Sequence, residues 1–98
     1  MELSFNSNDG AAVISIAGRL DTVTAPELDD YINARISGIE TLTIDCAGLE
    51  YISSAGLRVL LRAHKKMSAG GSMKLINVGP IVSEIFEITG FNEILTIE

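Results

Sequence analysis

Short β-branched apolar runs alternate along this chain with stretches of helical periodicity, and that alternation restricts its architecture more than any other feature. Five runs read as strands: residues 3–6, 11–18, 41–46, 73–78 and 93–97. The first two flank "SNDG", whose Asp-Gly pair marks a hairpin turn. Three segments follow the helical period instead. Thr24 with Glu27 three residues later has the form of a capping box, Pro26 sits in the first turn, and Leu28, Tyr31, Ile32, Arg35 and Ile36 follow before a Ser37-Gly38 stop. A second helix is predicted from Ser54 to about Ser68, with Leu57, Leu60, Leu61, His64 and Met67 on its apolar face. A third opens at Gly79-Pro80, carries Ile81, Val82, Ile85, Phe86 and Ile88, and stops at Gly90. The order β-β-α-β-α-β-α-β predicts an α/β fold in a single domain, residues 1–98. Its mixed central β-sheet carries an N-terminal hairpin and about three packed helices. Ser15, set between apolar residues, allows a sheet covered on one face only.

Composition narrows the functional classes. The net charge of −6 argues against a general nucleic-acid binder, which draws its affinity from phosphate neutralisation. No apolar run approaches a membrane span, and "MELSFNSNDG" lacks the basic and apolar regions of a signal peptide. One cysteine cannot form an internal disulfide, which fits a reducing compartment. The expectation is a soluble cytoplasmic domain.

Little in the chain points to catalysis. His64, the single histidine, falls on an apolar helix face, and no spacing links it to a serine. Cys46 has no CxxC partner, and "SAGG" and "NVGP" lack the spacing and lysine of a phosphate-binding loop. The stretch "LEYISSAGLRVL" is different, because Ser53 and Ser54 stand where a strand gives way to a helix. A serine there can cap the helix, accepting from a first-turn N–H for about 1 kcal/mol. It can also be a phosphoacceptor, since the free N–H groups and dipole of a helix start tolerate an anion. Four of the seven basic residues (Arg58, Arg62, Lys65, Lys66) follow on this helix, opposite its leucines, as a solvated face or a charged contact.

Two motifs together, "GRLDTVTAPEL" and "LEYISSAGLRVLLRAHKKM", resemble the STAS domain and, more narrowly, the anti-sigma factor antagonists. "MKLINVGP" and "IFEITGFNEIL" extend the similarity over nearly the whole chain. The resemblance implies a binding protein rather than an enzyme. Unphosphorylated members bind an anti-sigma factor that is also an ATP-dependent serine kinase, which frees a sigma factor. Phosphorylation of a serine at the start of the second helix dissociates the complex, and a PP2C-type phosphatase reverses it. Aligned on Gly56-Leu57, the acceptor falls on Ser54, while Ser53 stands where the family commonly has aspartate.

The resemblance also nominates a partner-binding set. Asp21 matches the aspartate of the family's Gly-x-Leu-Asp-x-x-Thr loop, although an ordinary loop acid fits the position equally well. Thr24 is assigned to capping first and recognition second, Ser53 to the N-cap, and Gly56 to leaving room for a partner. Arg58, one turn past Ser54, can pair with a phosphoryl group or with an acidic partner residue. No cofactor or metal is expected in the chain itself, ATP and Mg²⁺ belonging to the kinase partner, and neither nucleic acid nor membrane is expected as a partner. The alternatives are an unphosphorylated STAS subunit, serving a lipid-transport ABC ATPase or a stressosome-like scaffold, and a small-molecule binder or enzyme using Ser54 or His64.

Overall fold

A computed structural model describes residues 1–98. The elements run β1 (Glu2–Asn8), β2 (Ala11–Leu20), α1 (Ala25–Asn33), β3 (Thr41–Ile52), α2 (Ser54–Ser68), β4 (Ser72–Ile76) and α3 (Pro80–Thr89), followed by a 3-10 turn over Phe91–Glu93. The four strands form one sheet in the order β1-β2-β3-β4. β1 and β2 are antiparallel across a two-residue turn, Asp9-Gly10, with both φ angles positive. β2, β3 and β4 are parallel, as crossovers through α1 and α2 require.

Alternation along the strands puts Ile14, Ile16, Leu42, Ile44 and Leu75 on one face, where they are sealed from solvent. The buried residues of all three helices, among them Leu28, Ile32, Leu57, Leu60 and Phe86, join them in one continuous apolar cluster. The opposite face carries Val13, Ser15, Thr43, Asp45 and Lys74, all exposed or half-exposed. The sheet is therefore covered on one side, and no polar or charged residue lies buried in the core.

Three local expectations are corrected. β3 does not stop at Cys46; it continues through Leu49 and Ile52 by way of two register shifts against β2. Gly48 permits the first shift, since a Cβ there would lie 2.8 Å from the Ala17 Cβ. The last strand, expected over residues 93–97, reduces to a single parallel bridge between Leu75 and Ile97. The 3-10 turn takes up residues 91–93, so only the final residues lie beside β4, held by Leu75 N–H to Thr96 O and Glu98 N–H to Leu75 O, both 2.8 Å.

The third correction concerns the start of α1. Thr24 is already in the helical region (φ −90°, ψ −19°) and makes no side-chain cap with Glu27. The reciprocal pair closes three residues earlier. Asp21 Oδ1 accepts from Val23 N–H at 3.0 Å and Thr24 N–H at 3.1 Å, while Thr24 Oγ1 accepts from Asp21 N–H at 2.9 Å. Ala25 N–H to Asp21 O, 2.8 Å, completes a helical turn ahead of α1.

Candidate functional site

The parallel neighbours β2 and β3 end side by side, with Leu20 opposite Ile52. Each then releases a turn at the same carboxyl edge of the sheet, where open α/β sheets place their binding sites. The Asp21–Thr24 turn leaves β2, and Ser53-Ser54 leaves β3. One backbone hydrogen bond, Ser53 N–H to Leu20 O at 2.9 Å, joins the two turns. The sequence motifs carrying Asp21 and Ser54, far apart in the chain, thus meet at one edge.

Ser54 is the first residue of α2 and is exposed. Arg58, one turn along, directs Nη2 at the Ser54 hydroxyl oxygen from 3.5 Å. Ser53 occupies the N-cap in extended geometry (φ −96°, ψ 175°), and its carbonyl accepts the first helical bond from Leu57 N–H at 2.9 Å. Its side chain does not cap, however: Oγ is buried and has no hydrogen-bond partner. The position expected for Ser53 is right, and the expected side-chain bond is absent.

Asp21 is held by its own turn. The Thr24 backbone N–H, followed by Val23 N–H, the Thr24 hydroxyl and Arg19, keeps its carboxyl below the ordinary carboxylate value against a smaller opposing effect of desolvation. Its second oxygen lies 4.0 Å from Arg19 Nε, and the Arg19 guanidinium covers the Tyr51 ring at 4.4 Å. Thr24 Oγ1 lies 2.9 Å from Arg19 O, so this hydroxyl too is engaged within the chain.

Gly56 departs from the role expected of it. It is buried, and a Cβ there would come within 2.6 Å of Leu20 Cγ and 2.9 Å of Ile52 Cγ1. The glycine makes room for the core beneath α2, not for a partner above it. The basic face of α2 is also less free than the sequence suggests, because Arg62 pairs with Asp29 at 3.5 Å and Lys66 bonds Asn33, both on α1. Between the helices runs a groove lined by Thr22, Pro26, Asp29, Ala55, Arg58 and Arg62.

Sequence reading missed Val23, which is 85% exposed at the tip of the Asp21 turn, and the Arg19–Tyr51 pair. Arg19 and Tyr51 are register partners, a relation visible only once the bulges of β3 are known. His64 lies about 15 Å along the axis of α2 from Ser54, too far to serve it. Burial, with Asp45 adding to it, pushes the Cys46 thiol up to about 12, which leaves no thiolate nucleophile at neutral pH.

A mixed sheet covered on one face, with a serine-bearing helix start beside an Asp-x-x-Thr turn, defines the class of domain. The STAS domain family profile matches residues 2–98, and the chain belongs to that family. It is 33% identical to BtrV of Bordetella bronchiseptica over 99% of this chain and 85% of that protein. It is 29% identical to the anti-sigma-B factor antagonist of Bacillus subtilis, over 99% of this chain and 90% of that one. The crystal structure of an anti-sigma factor antagonist from Mycobacterium paratuberculosis superposes with a TM-score of 0.88 at 27% identity, covering 98% of this chain and 83% of that one.

Proposed function

We propose that this protein is an anti-sigma factor antagonist that binds a kinase-type anti-sigma factor through the Ser54 edge and is released when Ser54 is phosphorylated. The carrying observation is the exposed Ser54 hydroxyl at the first position of α2, beside the Asp21 turn. In the transfer, Ser54 Oγ bonds the γ-phosphorus of ATP and loses its proton as ADP leaves, with ATP and Mg²⁺ held by the partner kinase. A PP2C-type phosphatase restores the hydroxyl by hydrolysis. The phosphoryl group adds nearly two negative charges to a contact surface, and their desolvation and repulsion oppose rebinding. A loss of about 3 kcal/mol weakens affinity roughly a hundredfold.

Incubation with the cognate anti-sigma kinase and ATP, followed by mass spectrometric mapping, tests this reading. One phosphate on Ser54 in the wild type and none in Ser54→Ala is expected. Phosphate on Ser53, or none from a kinase shown to be active, would refute it.

A further inference from the structure

Three of the four arginines are already committed. Arg19 covers Tyr51 and faces Asp21, Arg62 pairs with Asp29, and Arg35 covers the Tyr31 ring at 3.5 Å and bonds the Tyr31 carbonyl. Arg58 has neither a carboxylate nor an aromatic ring; its one polar contact is the Ser54 hydroxyl at 3.5 Å, the outer limit of a hydrogen bond. No side chain caps the first turn of α2 and no acid lies within it, so nothing there competes for Arg58.

An underused cation and an uncapped helix start therefore meet at one serine oxygen. For the free hydroxyl this arrangement is poor, because the arginine contact is long. A phosphoryl group on Ser54 Oγ would extend beyond the hydroxyl and offer several acceptor oxygens. It would shorten the arginine contact into a charge-assisted bond. We propose that Arg58 clamps the phosphorylated form of Ser54 within the same chain, so that phosphorylation also withdraws Arg58 from any partner carboxylate. This inference rests on Ser54 being the acceptor. It assigns the release to two changes at once, a new anion on the contact surface and the loss of its free cation.

The test requires no kinase. The full chain is made with a phosphoryl group already on Ser54, and its phosphorus resonance is followed through a pH titration in the wild type, Arg58→Gln and Arg62→Gln. A serine phosphate takes its second ionisation near pH ~6, and a neighbouring guanidinium favours the dianion. The wild-type midpoint should lie roughly 0.5–1 pH unit below that of Arg58→Gln, the size expected for a partly solvated contact. Arg62→Gln should titrate with the wild type. Coincident midpoints for wild type and Arg58→Gln would overturn the clamp, as would an equal displacement by Arg62→Gln, which would reveal a diffuse basic field. Failure of the partner kinase to modify Ser54 would end the functional reading while leaving this measurement intact.

Discussion

Asp21 and Thr24 hold each other through backbone and side chain, and the consequence can be read as a pH dependence. The hydrogen bonds from Thr24 and Val23 favour the ionised carboxylate in the folded state, so its pKa lies below the ordinary 3.8. A depressed carboxyl pKa stabilises the fold fully above the unfolded value, and this contribution is lost as pH falls through the folded one. Wild type should therefore melt above Asp21→Asn at neutral pH, and the gap should close as the pH drops below about 3.8. Equal gaps in thermal melts at neutral and acid pH would mean that the turn is held by shape alone. The same bonds leave only the outer oxygen of Asp21 for a partner, which links the loop's fold to its availability.

The joint between α2 and the strands beneath it depends on a missing side chain. Gly56 is pressed against Leu20 of β2 and Ile52 of β3, the two residues whose strands deliver the Asp21 and Ser53-Ser54 turns. A methyl group here meets the middle of both side chains, where neither can swing aside. Alanine at this helical position gains about 1 kcal/mol in propensity, whereas forced overpacking typically costs about 1–3 kcal/mol. Gly56→Ala is thus expected to lose about 1 kcal/mol net, read as a lowered denaturant midpoint with unchanged slope. A raised midpoint would show that the start of α2 lifts freely from the sheet. The stability of this joint matters because it sets how Ser54 is presented.

Across the molecule, the proposed contact edge and the scaffold separate by position. The carboxyl edge of the parallel strands carries Ser54, Arg58, Asp21 and the exposed Val23, while the hairpin turn at Asp9-Gly10 lies at the far end of β2, roughly 30 Å away. If the first edge is the contact surface, Arg58→Glu should weaken binding to the cognate anti-sigma factor at least tenfold by calorimetry. Asn8→Lys, beside the hairpin turn, should leave binding unchanged. Unaltered affinity in Arg58→Glu would place the interface elsewhere. No helix is long and apolar enough to cross a membrane.

The order of the first four strands and three helices and the Asp-Gly hairpin were legible in the sequence, which also allowed a one-sided sheet, because periodicity and turn chemistry are local properties of the chain. So was the pairing of two motifs that nominates Ser54, with Arg58 a single helical turn beyond it. The sequence by itself could not decide what depends on contacts between distant residues. Thr24 lost its expected capping partner because the β2 end positions Asp21 to close the turn three residues earlier. Gly56 changed from a partner-facing gap to a packing joint because Leu20 and Ile52 lie under it. The final strand shrank to one bridge because the 3-10 turn takes up the chain that would have formed it. Ser53 was placed correctly by its position before the helix, yet its hydroxyl was left unpartnered by the packing around it, which no local pattern encodes.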